Sequence, residues 1–106
     1  MMEKPESVTF DVPNTFELEQ LSELYKAMGD LSRMKILWHL MYGEQCVSDL
    51  AETLSMTNSA VSHQLHALRM TKLIRSRKVG KKVFYSLQDE HIQWILEETY
   101  AHISER

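Results

Sequence analysis

The sequence predicts a mainly α-helical domain with one small β-hairpin, and three observations support this fold class. The chain has 106 residues, 43% of them apolar and 25% charged, which is the composition of one ordinary folded domain. Apolar residues recur at helical spacing in five stretches, whereas residues 73–87 are rich in β-branched and aromatic residues around Gly80. Residues 1–13 hold both prolines and predict a flexible N-terminal arm before a folded domain over residues 14–106.

The composition excludes several classes of protein. No apolar run approaches the ~20 residues that a membrane span needs, and the first residues contain no apolar stretch typical of a signal peptide. The single cysteine, Cys46, cannot form a disulfide within the chain, which favours a reducing compartment. We therefore expect a cytoplasmic protein with no membrane association.

The first two predicted helices are bounded by capping residues. Asn14 is a good N-cap for a first helix that ends at Gly29, a usual helix end because glycine tolerates positive φ. Asp30 or Ser32 caps a second helix, which ends near Gly43. Both helices carry leucine, methionine and other apolar residues on one face, so both are expected to pack against a common core.

The middle of the chain predicts a helix-turn-helix over about residues 47–70. A short third helix has Ser48 as its cap, and a polar break at residues 55–58 separates it from a fourth helix. That fourth helix carries apolar residues at i, i+4 and i+7 from Val61. Two helices joined by such a turn are typical of DNA-binding proteins, in which the second helix enters the major groove.

A hairpin and a last helix complete the predicted fold. Two β-rich segments within about residues 73–87 flank a turn at Gly80 and Lys81, and their basic residues are typical of a wing beside a recognition helix. A final helix is expected over about residues 89–105. The predicted architecture is a winged helix-turn-helix.

The net charge of −3 conceals a strong segregation that favours a nucleic-acid partner. Seven of the 12 basic residues and none of the 15 acidic residues lie between residues 53 and 88. Hydroxyl, amide and cationic side chains on one helix face can donate to phosphates and to base edges. The predicted DNA-contacting residues are Asn58, Ser59, Ser62, His63, Gln64, His66 and Arg69 on the fourth helix, and Arg77, Lys81 and Lys82 on the wing.

Two alternatives apply to this face. It could be an ordinary solvated helix face, although such faces usually carry interspersed acidic residues. His63 and His66 could instead ligate a metal, but histidines on a basic helix more often face solvent or DNA.

A second group of chemically active residues lies around the last helix, namely Asp89, His91, His102 and Glu105. His91 and His102 fall on nearly one helix face but stand roughly 16 Å apart, too far to share one ion. If the helix pairs antiparallel with a second copy, the pairings His91 with His102 and Asp89 with Glu105 need almost the same register. Two imidazoles and two carboxylates suit Zn²⁺, with Co²⁺ or Ni²⁺ as weaker candidates. The alternative is that Asp89 is only an N-cap and the other three are exposed polar residues.

The motifs resemble those of the ArsR/SmtB family of bacterial winged-helix metal-sensing repressors over residues 22–105. The residues that carry the resemblance are Lys26-Ala27-Met28-Gly29-Asp30, Arg33, Ile36-Leu37, Cys46-Val47-Ser48-Asp49-Leu50-Ala51, Ser59-Ala60-Val61-Ser62-His63-Gln64-Leu65, Leu68, Leu73-Ile74, Arg77, Gly80 and Tyr85-Ser86-Leu87. The pattern Asp89-X-His91 with His102-X-X-Glu105 looks like the zinc site of the family's SmtB-type branch. The resemblance implies a homodimer through the first and last helices that binds an operator of dyad symmetry as apo-protein and releases it when metal binds.

The chain departs from the family pattern at two places, one of which concerns a possible metal site and the other the local backbone. Cys46-Val47-Ser48 stands where arsenic, cadmium and lead sensors have Cys-X-Cys, so we expect no thiolate-rich site, and Cys46 is expected to be a small buried side chain. Lys72 stands where the family often has glycine, which implies a local change of backbone geometry.

The sequence thus predicts a metal-responsive repressor of double-stranded operator DNA, with Zn²⁺ as the expected inducer. Three other classes stay open. The same fold could serve a regulator that answers to a different signal or partner, with the last helix as a dimer interface only. A DNA- or RNA-binding module without regulation is another class, and a small enzyme is the third. No nucleophile–base arrangement or phosphate loop supports the enzyme.

Overall fold

The computed structural model of the protein describes residues 11–105, so most of the predicted N-terminal arm, residues 1–13, lies outside the described residues. The elements, in chain order, are α1 (Thr15–Met28), α2 (Leu31–Leu40), α3 (Val47–Leu54), α4 (Asn58–Met70), β1 (Ile74–Val79), β2 (Lys82–Leu87) and α5 (Glu90–Ile103). This is the predicted fold, with α3 and α4 as the helix-turn-helix and the hairpin as the wing. Across residues 11–105, no helix has the length and apolar character needed to cross a membrane.

The beginnings of α1 and α2 follow the sequence prediction. The Asn14 side chain accepts a hydrogen bond from the backbone N–H of Glu17, whose carboxylate in turn accepts from the Asn14 N–H, which forms a capping box. Asp30, rather than Ser32, caps α2 by accepting from the Arg33 N–H at 3.1 Å. Gly29 does end α1, but its φ of −78° is right-handed, so the expected reason for a glycine there was wrong.

The prediction that Ser48 caps α3 was also wrong. The Cys46 backbone is extended and its carbonyl accepts from the Leu50 N–H at 3.1 Å, so the helix already begins at Val47. No side-chain hydrogen bond caps this helix end. The hydroxyl of Ser48 instead lies 3.3 Å from the Cys46 sulfur.

The core lies where the helix-turn-helix meets α2, α5 and the base of the wing. On α4, Val61, Leu65 and Leu68 are at most 1% exposed, as their spacing predicts. The buried cluster that surrounds them comprises Ala27, Met28, Ile36, Leu37, Leu40, Leu50, Ala51, Leu73, Ile74, Ile92 and Leu96. Full burial of a leucine- or valine-sized side chain contributes about 1.5–3 kcal/mol. This core therefore fixes the rotation of α4 about its own axis.

The wing is an antiparallel pair whose register runs from Ile74 opposite Leu87 to Val79 opposite Lys82. Gly80, with φ 62°, begins the two-residue turn that the sequence predicts, in a left-handed conformation that favours glycine. The α2–α3 loop joins the edge of this hairpin through an isolated β-bridge, in which the backbone of Gln45 exchanges two hydrogen bonds with that of Tyr85. The wing is thus tied at its base to the loop that precedes α3.

The last helix is shorter than predicted at both ends. Asp89 precedes it as the N-cap and accepts from the backbone N–H groups of His91 and Ile92. The helix ends at Ile103 with Ser104 as C-cap, so Glu105 lies beyond it. Side-chain packing against the core holds its inner face, where Ile92 and Leu96 are buried.

Replacing Lys72 by glycine is expected to raise the free energy of unfolding by about 1 kcal/mol. The residue has φ 59°, the left-handed conformation that costs a side chain ~1 kcal/mol and that glycine adopts freely. Lys72→Ala removes the same charge but keeps the strained backbone, so it is the matched control. Urea denaturation of the three proteins measures the difference, and a Lys72→Gly protein no more stable than Lys72→Ala would contradict the prediction.

Candidate DNA interface and metal centre

The outer face of α4 is polar and free of carboxylates. Because the apolar stripe is buried, most of the predicted contact residues on the helix lie on its solvent-exposed side. Asn58, Ser59, Ser62, His63, His66 and Arg69 are exposed, and Gln64 is half-buried. Thr57, one residue before the helix, caps it through its hydroxyl, which accepts from the Ala60 N–H at 3.0 Å. The face therefore offers hydroxyl, imidazole and guanidinium groups that can meet phosphates and base edges.

Gln64 is held in place by α2. The Nε of Arg33 donates to the side-chain oxygen of Gln64 at 2.8 Å, across 31 residues of sequence. This bond leaves the Gln64 amide N–H₂ as a donor and sets the direction in which it points. Arg33 thus positions a predicted DNA-contacting residue, a role that the sequence analysis did not assign to it.

The cations of the wing fall into two groups. Lys81 and Lys82, at the turn, are exposed, as is Lys78 on β1. Arg77 is different, because its Nε and Nη2 donate to the two carboxylate oxygens of Glu44 at 2.6 and 2.7 Å. Its guanidinium also lies 5.8 Å from the ring centroid of Phe84, the residue opposite it on β2. No spacing in the sequence predicts the Glu44 contact, since the two residues are 33 positions apart.

The ion pair changes the titration of both partners. The hydrogen bonds from Arg77 hold the pKa of the Glu44 carboxyl below its usual value, and the same bonds raise the pKa of Arg77. Because the Glu44 pKa is lowered in the folded protein, the pair is complete at neutral pH and is lost only in acid, as pH falls through that lowered value.

The four predicted metal ligands lie at the two ends of α5. All four are exposed. Asp89 and His91 are together at the N-terminal end, where the His91 Nδ1 lies 3.4 Å from the Asp89 Oδ1. His102 is in the last turn, near Tyr100, whose ring meets Trp38 of α2 edge-to-face at 5.5 Å. Asp89 thus serves as the N-cap of α5, and its role as a metal ligand stays a prediction.

Within one protomer these ligands do not meet. Among residues 11–105, no three histidine, cysteine or acidic side chains lie together in a way that could hold a metal ion. His63 and His66 of α4 belong to no such group either. Cys46 is 8% exposed, as expected for a small buried side chain.

Both α1 and α5 carry exposed apolar side chains. Phe16 and Leu21 of α1 are 66% and 43% exposed, and Tyr100 and Ile103 of α5 are 54% and 80% exposed. An open groove between the start of α1 and the start of α5 is bordered by Phe16, Met70 and His91. Apolar groups on this scale, next to a groove, are typical of a surface that another protein covers.

Comparison with known proteins places this fold in a family. The family described as "Bacterial regulatory protein, arsR family" matches residues 30–76, which span α2, the helix-turn-helix and the start of β1. The "Transcriptional repressor SmtB homolog" of Synechocystis is 36% identical over 104 residues, which cover 98% of this chain and 79% of that protein. The chain belongs to the arsR family. As a member it is a DNA-binding transcriptional regulator, and not an enzyme.

Two further relatives are transcriptional regulators, and the name of one of them refers to cadmium resistance. The "HTH-type transcriptional regulator NmtR" of Mycobacterium tuberculosis is 40% identical over 83 residues, 78% of this chain and 69% of that protein. The "Cadmium resistance transcriptional regulatory protein CadC homolog" of Staphylococcus aureus is 36% identical over 83 residues, 77% of this chain and 69% of that one.

Solved structures agree on the fold. The solution structure of apo-NmtR has a TM-score of 0.73 at 33% identity and covers 95% of this chain and 85% of its own. A homodimeric winged helix-turn-helix domain from Mycobacterium bovis reaches a TM-score of 0.84 at 23% identity, with 94% and 93% of the two chains covered.

Removing the Arg33–Gln64 bond is expected to weaken DNA binding about tenfold. Arg33→Met keeps the packing of the side chain but frees Gln64, and a hydrogen bond to a charged group contributes roughly 1.5 kcal/mol. The probe is a labelled duplex enriched by the wild-type protein from a random-sequence pool, hereafter the selected duplex, and the readout is fluorescence anisotropy. Lys35→Met, which removes an exposed charge from the same helix, is the control and should bind as wild type does. Equal losses in both variants would mean that charge alone matters.

Proposed function

We propose that this arsR-family protein is a zinc-responsive repressor that binds operator DNA as an apo homodimer and releases it when metal binds. The observation that carries the proposal is the layout of α5, a continuous helix with His91 and His102 near its ends and carboxylates flanking it on both sides. Such a layout supplies half of a metal site at each end and a complete site at neither. We expect the protein to act in the bacterial cytoplasm, where its operator lies.

A second copy of the chain supplies the missing halves. In a two-fold dimer with α5 antiparallel to its partner helix, the N-terminal end of one α5 faces the C-terminal end of the other. Asp89 and His91 of one protomer then approach the partner's His102 and Glu105, which gives two equivalent sites. The exposed apolar residues of α1 and α5 provide the surface that such a dimer would bury. The homodimeric structure from Mycobacterium bovis shows that this fold can pair.

The residues fit a zinc ion by their chemistry. Two imidazoles and two carboxylates are ligands that Zn²⁺ accepts in tetrahedral sites, and all four side chains are exposed and accessible to a partner. Capping uses one oxygen of Asp89, Oδ1, and a carboxylate has acceptor positions to spare on the other. Co²⁺ and Ni²⁺ accept the same ligands, so zinc is proposed over them on ligand number and geometry.

Coupling to DNA follows from the dimer. Two recognition helices enter successive major grooves only when their separation is about 34 Å, and that separation depends on how the two protomers are oriented. Bound metal would cross-link the paired helices and favour one orientation. If that orientation misplaces the two α4 helices, metal and DNA weaken each other's binding, by the same factor in each direction and typically 1–3 kcal/mol.

A regulator of the same fold without metal function is the second candidate. It is favoured by the capping role of Asp89 and by the position of Glu105 beyond the end of α5. In that case α5 serves as a dimer interface alone, and the signal is another ligand or partner. Zinc titration of the protein bound to the selected duplex separates the two candidates, because only the first releases DNA.

The cross-protomer site predicts that two inactive variants restore each other. His91→Ala and His102→Ala homodimers each lose a ligand from both sites, so neither should release the selected duplex on zinc addition, although both should bind it. A mixed dimer of the two variants has one site with both histidines missing and one site intact. We therefore expect zinc-driven release to return in the mixture after subunit exchange, with about one zinc per mixed dimer by inductively coupled plasma mass spectrometry.

The matched control is His39→Ala. The imidazole of His39 contacts the Lys35 carbonyl of its own helix and belongs to no proposed site, so zinc should release this variant as it does the wild type. A His91→Ala and His102→Ala mixture that stays bound to DNA in zinc would contradict a site shared between protomers.

The turn of the wing is expected to bind phosphates. Lys81→Gln and Lys82→Gln should each weaken binding to the selected duplex and to an unrelated duplex by similar factors, and each should reduce the slope of log K against log salt by about 1. Lys35→Gln removes an equally exposed lysine from α2 and should leave the slope unchanged. A slope that stays constant in the wing variants would place the turn away from the DNA backbone.

A further inference from the structure

The wing carries one acidic neighbour that the DNA-binding function does not explain. Residues 53–88 contain no carboxylate, yet the fold brings Glu44 from the α2–α3 loop against β1. A carboxylate beside a phosphate-binding surface opposes binding by like-charge repulsion unless a cation neutralises it. We therefore expect Glu44 to make a contribution to the structure that exceeds this electrostatic cost to DNA binding.

The contact between Glu44 and Arg77 has a specific, well-defined geometry. Two N–H groups of one guanidinium meet the two oxygens of one carboxylate, the bidentate geometry that is the strongest form of this ion pair. The ring of Phe84 lies beside the guanidinium and limits where it can move. Arg77 is thus engaged on two sides by residues of its own protomer.

The loop that carries Glu44 is itself anchored. Its neighbour Gln45 is bridged to the backbone of Tyr85 by hydrogen bonds of 3.1 and 2.9 Å, and the Gln45 side chain donates to the His39 carbonyl at 3.1 Å. The carboxylate of Glu44 is therefore presented from a fixed backbone. Arg77 would have to leave this partner to reach a phosphate with the same N–H groups.

The outer part of the wing needs a contact that fixes its orientation. A two-stranded hairpin is only marginally stable by itself in water, and the outer part of this one, around Lys78 to Lys82, has no second layer beneath it. The base is held by buried Ile74 and by the Gln45–Tyr85 bridge. The Glu44–Arg77 pair lies further toward the turn and connects the wing to the loop that leads into the helix-turn-helix.

We propose that Glu44 and Arg77 are positioning residues, which fix the wing relative to the helix-turn-helix so that the lysines of its turn meet the DNA backbone. Arg77 then acts through the wing and not as a phosphate ligand, which reassigns one residue of the contact set expected from the sequence. The proposal rests on DNA binding by the protein and is independent of whether metal regulates it.

Three variants test the proposal on the full chain with the selected duplex: Arg77→Met, Glu44→Ala and the double variant. Each single variant is expected to bind about fivefold more weakly, and the double variant no more weakly than either single one. The salt slope of Arg77→Met should equal that of the wild type, because the lysines of the turn still contact phosphates in the complex and the variant loses only the ordering of the wing before binding. Amide hydrogen exchange in residues 78–83 of the free protein should be faster in all three.

The sign of the Glu44→Ala effect discriminates most sharply. If Arg77 is a phosphate ligand that Glu44 sequesters, Glu44→Ala frees it and DNA binding becomes tighter, while Arg77→Met reduces the salt slope by about 1. Either result overturns the proposal, as do additive losses in the double variant. Glu52→Ala, which removes an exposed acid from α3, is the control for charge alone and should bind at least as tightly as the wild type. Neither partner belongs to the core, with 62% of the Arg77 side chain and 33% of the Glu44 side chain accessible, so all variants are expected to fold, and circular dichroism checks this.

Discussion

The burial of one apolar stripe on α4 is the constraint from which the DNA-binding surface follows. Val61, Leu65 and Leu68 are held against α2, α3 and β1 and are almost completely removed from water. A rotation of α4 by one residue, about 100°, would expose these groups and bury imidazole or guanidinium groups without partners, which is costly. The polar face is therefore directed outward by packing, before any contact with DNA is made. The bond from Arg33 to Gln64 adds direction to one side chain of that face.

The orientation of the wing depends more on polar contacts than on buried apolar side chains. Its base shares the core through Ile74 and Tyr85, whereas its outer part is exposed and positively charged. Repulsion among close cations and the flexibility of a hairpin both oppose a fixed orientation. Two groups of the α2–α3 loop hold the wing against these effects: the backbone of Gln45, which is bridged to β2, and the carboxylate of Glu44, which pairs with Arg77. Placing one negative charge next to a cationic element is reasonable only where a specific partner neutralises it.

The last helix packs one face against the core and leaves other positions exposed to solvent. Ile92 and Leu96 are buried, while His91, Tyr100 and Ile103 are exposed. Contact between Tyr100 and Trp38 holds the second half of the helix against α2, the same helix that contacts α4 through Arg33. Helix α2 therefore touches both the element proposed to carry the metal site and the recognition helix. Within a single protomer the ligands remain apart because a straight helix separates its two ends.

Local patterns in the sequence determined the order of elements, the inward positions of α4, the Gly80 turn and the Asn14 cap, because each depends on residues within a few positions of one another. Local signals also misled at two helix ends, Ser48 and Gly29, since helix starts and ends depend on backbone geometry that neighbouring residues set only in part. The pairings of Arg77 with Glu44 and of Arg33 with Gln64 join residues more than 30 positions apart. Such contacts depend on how helices and strands pack in three dimensions, and only the tertiary structure decided them.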